Sequence, residues 1–298
     1  MNILSLDNVV KRYHNHTAVD HVSFDIPKGS VFGLLGPNGA GKTSLIRIIT
    51  TITMADEGTV IFNGEPLNLN HPNEIGYMPE ERGLYKKMKV GEQLVYLAQL
   101  KGMQPKEARQ KLIYWLEKFE IGDWWDKKVE ELSKGMQQKI QFIATVVHEP
   151  KLLILDEPFS GLDPINTNLI KDEIAELNSK GISIIFSTHR MEQVEKVCEE
   201  ILLINNGKKI LQGRVDQVRE DYKENKFEIS YSGQITNSLD SYSVIEKTNE
   251  KVLVRLSQGQ TTNSLLSSVM NDVDIKSFHE VLPTINDVFI KEVNSTSH

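Results

Sequence analysis

The chain has 298 residues, 39% of them hydrophobic and 25% charged, a balance that supports packed cores and excludes disorder as the main state. Its formal charge of −7 argues against a chain built chiefly to neutralise a phosphate polymer, since such proteins carry a dominant basic face. No nucleic-acid partner is expected, and the length suits one large domain plus a small one.

The opening residues, Met1-Asn2-Ile3-Leu4-Ser5-Leu6-Asp7, lack the cationic and apolar segments of a secretory signal. No later apolar run reaches the ~20 residues that span a bilayer, so a cytoplasmic location is expected, with membrane association only through a partner. The apolar run Val31–Leu35 leads into a glycine-rich turn, and residues 43–49 read as a helix, which is the start of a parallel α/β unit. Residues 59–62 precede Asn63-Gly64, a hairpin signal. From 90 to 125 the pattern turns helical: Leu94, Val95, Leu97 and Ala98, then, after Pro105, Ala108, Leu112, Trp115, Leu116 and Phe119. Trp115, Trp124 and Trp125 read as core or interface residues of this insert rather than as a ligand box.

Further along, the apolar runs 152–155 and 182–186 read as buried strands joined by a helical crossover over 165–177. The single cysteine, Cys198, falls with Met191, Val194 and Val197 on an apolar helix face and reads as a core thiol, while the acid-rich stretch 192–200 reads as a solvated helix face. Residues 201–204 before Asn206-Gly207 repeat the hairpin signal. After about Gln212 the chain is rich in serine, threonine and asparagine, with strand-like pieces at 227–231 and 251–256 and helix-like pieces at 265–269 and 285–293. These predict an α/β domain over 1–213, with a helical subdomain at about 88–148, and a small α+β accessory domain over 214–298.

Gly36-Pro37-Asn38-Gly39-Ala40-Gly41-Lys42-Thr43, followed by Ser44, satisfies G-x-x-x-x-G-K-[ST] after a strand and at the opening of a helix. Glycines let backbone N–H groups approach phosphate oxygens, and the helix start adds unpaired donors and partial positive charge. Lys42 supplies a mobile charge for the β- and γ-phosphates of ATP, and Thr43 a hydroxyl ligand for Mg²⁺. Leu152-Leu153-Ile154-Leu155-Asp156-Glu157-Pro158 is an apolar strand ending in two carboxylates that alternation should point apart. Asp156 suits Mg²⁺ and Glu157 the activation of the attacking water. The histidines His14, His16 and His21 show no metal-site spacing and default to surface or strand positions.

Leu132-Ser133-Lys134-Gly135-Met136-Gln137-Gln138, just ahead of the acidic strand, resembles the L-S-G-G-Q signature of ABC ATPases. The other family elements stand in order: Tyr13, the turn after Tyr77-Met78-Pro79-Glu80, Ser160-Gly161-Leu162-Asp163, and His189 after Ile184-Ile185-Phe186-Ser187-Thr188. The resemblance covers about residues 2–213 and implies an ABC ATPase core with a mixed sheet, an antiparallel β subdomain and a helical subdomain. It implies that Tyr13 stacks on adenine, the alternative being a strand-edge tyrosine, and that His189 contacts the γ-phosphate, although on sequence alone His189 is equally a satisfied histidine at a strand end. It further implies that Asp163 joins two subunits, that Ser133 and Gly135 reach the nucleotide of the opposite subunit, and that the helical insert docks a separate membrane permease. A second subunit, a homodimer in the simplest case, and a location on the inner face of the cell membrane follow from the same resemblance.

Two departures stand out. Glu80 occupies the position where the family usually has a metal-linked glutamine, adding negative charge beside triphosphate, and Lys134 and Met136 replace signature residues. The 77–85 stretch, the Ser-Lys-Gly-Met-Gln-Gln form and the extra C-terminal domain resemble the bacterial export subfamily that includes sodium-extrusion ATPases. The competing expectation is a soluble ABC-type ATPase acting on a non-transport macromolecule. A non-hydrolysing sensor fits poorly, since Lys42, Thr43, Asp156, Glu157 and His189 are all present.

Overall fold

The computed structural model describes residues 1–81, 83–235 and 239–295, so Arg82 of the 77–85 stretch lies outside the described residues. The chain divides into two units, Met1–Arg214 and Val215–His298.

In the first unit, β1 (Asn2–Tyr13) and β2 (His16–Pro27) pair antiparallel across the His14-Asn15 turn. The fully buried β3 (Val31–Leu35) runs into α1 (Lys42–Ile49). The strands β4 (Glu57–Phe62) and β5 (Glu65–Pro66) meet at Asn63 and Gly64, both at positive φ, as a tight hairpin turn between right-twisted strands demands. Together they form a four-stranded sheet in the order β2-β1-β4-β5. Next come β6 (Ile75–Met78) and the helical insert, made of α2 (Val90–Leu100), α3 (Pro105–Lys118) and α4 (Lys134–Val146). The remaining elements are β7 (Leu152–Asp156), α5 (Pro164–Ser179), β8 (Ser183–Thr188), α6 (Met191–Val194), β9 (Glu200–Asn205) and β10 (Lys208–Arg214).

The second sheet has the order β10-β9-β3-β8-β7-β6, parallel except for β10. Its strands β3, β7 and β8 are buried along their whole length, which is why they read as unbroken apolar runs rather than alternating ones. One core joins this sheet to the antiparallel one: Ile3, Phe24 and Val22 meet Phe32, Leu34 and the buried side of α1 at Leu45 and Ile49. Because parallel strands share their direction, the C-terminal ends of β3, β7 and β8 converge at one edge, where parallel α/β sheets place ligands.

In the insert, Trp115 is 8% exposed and its ring lies 6.3 Å from that of Phe142, so it is a core residue as its spacing predicts. Trp125 packs on Gly91, where an added Cβ would stand 2.3 Å from the indole; glycine at this point of α2 makes the close approach possible. The acid-rich stretch 192–200 corrects the helix expectation. Helix α6 ends at Val194, and turns carry the chain to Glu199, whose N–H donates to the Val31 carbonyl at 2.9 Å. Pairing of β9 beside β3 overrides the local helical pattern, and Glu200 lies in a strand. Met191, Val194 and Cys198 are nonetheless buried together, and burial pushes the Cys198 thiol well above its ordinary pKa, leaving it inert.

The second unit begins with α7 (Val215–Asp221) and has a four-stranded antiparallel sheet: β11 (Lys226–Gly233), β12 (Ser243–Lys247), β13 (Lys251–Arg255) and β14 (Val273–Glu280), ordered β12-β13-β11-β14. Helices α8 (Thr262–Val269) and α9 (Ile285–Ser295) complete it. Alternation along β11 buries Phe227, Ile229 and Tyr231 against Val252, Val254, Leu265 and Val269. The sequence pattern missed β12, whose residues are all exposed, and β14, whose polar residues hide its period.

Candidate nucleotide site

The phosphate loop follows β3. Gly36 has φ 153°, and a Cβ there would meet the Ile204 carbonyl oxygen at 2.2 Å; Gly41, at φ 109°, would meet that of Ala18 at 2.3 Å. Only glycine fits either place, and the two fix a loop whose residues line a cavity of about 290 Å³. Asn38, Gly39, Ala40, Gly41, Lys42, Thr43 and Ser44 line it. Gly36 and Pro37 do not; their carbonyls accept hydrogen bonds from Lys42 Nζ at 2.7 and 3.0 Å. Lys42 is 8% exposed. Burial lowers its pKa, against the pull of Asp156, Glu157 and Glu80.

Strand β7 delivers Asp156 and Glu157 to the same cavity, 6% and 7% exposed. Asp156 Oδ1 accepts from Ser187 Oγ at 2.7 Å; burial raises its pKa, with Glu157 and Glu80 adding to the rise. Glu157 takes a left-handed conformation with φ 50°, a conformation that costs about 1–3 kcal/mol for a non-glycine residue and clusters at functional sites. The two carboxylates take different partners on β8, Ser187 for Asp156 and Thr188 for Glu157. Glu157 Oε2 accepts from Thr188 Oγ1 at 3.0 Å, and Oε1 accepts from the His189 backbone N–H at 2.7 Å and lies 2.6 Å from His189 Nδ1. His189 thus meets Glu157 at the end of β8, with its side chain 44% exposed.

Tyr13 lines the cavity and is 38% exposed, with Lys11 Nζ 5.5 Å from its ring centroid and that lysine held by Asp56 at 2.9 Å. Glu80 lines the cavity too and is exposed, in the loop after β6. His16 and Ala18 also line it, a placement that the sequence reading of the histidines missed. The signal was the two-residue turn between Tyr13 and His16, which pairs them across β1 and β2. Ser133 and Gly135 stand outside this cavity's lining. Ser133 is the N-cap of α4, accepting from Met136 N–H at 3.3 Å, and Asp163 is that of α5, accepting from Asn166 N–H at 2.9 Å.

A glycine-bounded anion cradle, a buried lysine, and two carboxylates and an aromatic ring on one cavity define a nucleotide-binding protein of the phosphate-loop class. Residues 19–160 match the family described as ABC transporter, and residues 213–293 match the C-terminal domain described for DrrA1-3-like ATP-binding proteins. The chain is 44% identical over 296 residues to the ABC transporter ATP-binding protein YhaQ of Bacillus subtilis strain 168, covering 98% of this chain and 99% of that one. It is 36% identical to the Nod factor export ATP-binding protein I of Ralstonia nicotianae strain GMI1000, over 71% of this chain and 67% of that protein. The solved ATP-binding subunit of an ABC transporter superposes with a TM-score of 0.69 at 28% identity, over 74% of this chain and 93% of that one. This chain belongs to the ABC transporter ATP-binding family, whose members hydrolyse ATP to power transport.

Proposed function

We propose that two copies of this chain close around two ATP molecules and drive a separate membrane permease. The observation that carries the reading is that Ser133 and Gly135, the signature residues, lie outside the cavity of their own chain. Gly135 adds to it: its φ is not positive, and a Cβ there would meet only Leu162 Cδ2 at an ordinary 3.7 Å. Glycine is a weaker helix former than alanine, so its use where the chain itself leaves room fits close approach by something outside the chain. The γ-phosphate of a second copy's ATP is that partner, met by the Ser133 hydroxyl and the amides opening α4.

Within each cavity the phosphate loop amides and Lys42 hold the β- and γ-phosphates, and Tyr13 offers its open face to adenine. Glu157 takes a proton from the attacking water while His189, which does not line the cavity but is fixed at its edge by its contact with Glu157, orders the γ-phosphate. Thr43, Asp156 and Glu80 offer hard oxygen donors on one cavity, the donor set Mg²⁺ prefers. Among the described residues no group of three or more His, Cys, Asp or Glu forms a metal cage, which fits an ion that takes part of its shell from phosphates and water. When bound, Mg²⁺ would neutralise charge on the β- and γ-phosphates.

No helix among the described residues is long and apolar enough to cross a membrane, so the work of transport falls to a partner at the inner face of the cell membrane. The similarity to an export ATP-binding protein supports the export direction. The test is affinity capture of the tagged chain from solubilised membranes. Recovery of a membrane-spanning protein in stoichiometric amount is expected; recovery with ribosomes and no membrane protein contradicts the transport role.

A further inference from the structure

Helix α4, which Ser133 caps, carries Gln138 and Gln141 three residues apart, on one face. Both are buried, 2% and 5% exposed, and each donates its amide to the carbonyl of a proline beside a cavity carboxylate. Gln141 Nε2 donates to Pro79 O at 2.8 Å. That oxygen belongs to the peptide joining Pro79 to Glu80. Gln138 Nε2 donates to Pro158 O at 3.0 Å, one residue after Glu157.

Packing does not explain Gln141. Its Oε1 is buried with no hydrogen-bond partner among the described residues, a loss of about 1–3 kcal/mol that an apolar side chain of similar size would avoid. What the glutamine adds is the donor, and the donor is spent on the loop that holds Glu80. A donated hydrogen bond sets the direction of the peptide plane it meets, which apolar contact alone does not do.

We propose that Gln141 and Gln138 are positioning residues that fasten the Glu80 loop and the Glu157 turn to the helix begun by Ser133. The three segments then move together: whatever displaces the start of α4 also displaces the carboxylates on the metal side and the water side of the cavity. The proposal rests on the roles given above to Glu80 and Glu157, and its test includes them as references.

The experiment compares Gln141→Leu, Gln138→Leu, Glu80→Ala and Glu157→Gln in the full chain. It reads ATP affinity with and without Mg²⁺, kcat, and the unfolding midpoint. Gln141→Leu is expected to shrink the gain in ATP affinity that Mg²⁺ confers by about 3- to 10-fold, the equivalent of one hydrogen bond, with Mg²⁺-free affinity unchanged. Gln138→Leu is expected to lower kcat by a similar factor with both affinities unchanged. A merely structural role would move all four readings together, and that result overturns the proposal. Where a leucine variant does not fold, Gln141→Met or Gln138→Met keeps close to the volume with an unbranched side chain and removes the donor; failure of both substitutions at a site to fold assigns that residue a structural role and overturns the proposal. Normal values in the glutamine variants beside shifted values in Glu80→Ala and Glu157→Gln also overturn it. No shift in those two references overturns the carboxylate roles instead, and the positioning role falls with them.

Discussion

Glu157 gathers most of the site's chemistry at one backbone position. Its left-handed conformation turns the carboxylate off the strand, toward Thr188 and His189, where three contacts within 3.0 Å fix both oxygens. Glu157→Gln keeps that shape and removes the proton acceptor, so hydrolysis is expected to fall by about 10²- to 10⁴-fold while ATP binding persists. Steady-state kinetics beside an ATP-binding titration checks this; hydrolysis at the unmodified rate would remove Glu157 from the mechanism. At this scale the sequence was most informative where chemistry is local. Eight consecutive residues state the phosphate loop, because its glycines answer to φ and close approach within a few residues. His16 was invisible for the opposite reason: it reaches the cavity only because a turn pairs it with Tyr13.

Among the elements, α3 and α5 are joined by Lys118, whose Nζ lies 2.7 Å from both Glu173 and Glu176. Partial burial lowers the Lys118 pKa, but the bonds to the two glutamates outweigh it and the net shift is upward. Glu176 is held down at about 2, first by Lys118 and then by Lys180. A depressed carboxylate contributes stability that is present above its unfolded value, near 4.5, and is lost as pH falls toward 2. Glu173 is the buried member, so Lys118→Met is expected to cost about 1–3 kcal/mol by leaving its carboxylate unpaired. Thermal unfolding should show the loss at pH 7, and Lys118→Met with Glu173→Gln should recover part of it. An unchanged midpoint in the single variant would mean that solvent already serves Glu173. Helices with strong periods, such as α2 and α3, were legible in the sequence, as were β3, β7 and β8. The stretch 192–200 was not, since pairing of β9 beside β3 decided it, and β12 was not, since an edge strand with no buried face carries no period.

On the scale of the whole molecule, each unit has a core of its own: one around α1 and the two sheets of Met1–Arg214, the other around β11, β13 and α8 of Val215–His298. The composition and the change of pattern after Gln212 anticipate a second body of chain, while the strand order within it depends on pairings that no local signal encodes. The proposed assembly is a larger object still, in which the α4 cap of one copy meets the nucleotide of another. Its most direct measurement is the solution mass of the Glu157→Gln chain with Mg²⁺ and ATP, by light scattering or sedimentation. Twice the mass of one chain is expected with ATP, reverting to one chain with ADP or on Ser133→Arg. An ATP-saturated chain that stays single at high concentration would contradict it.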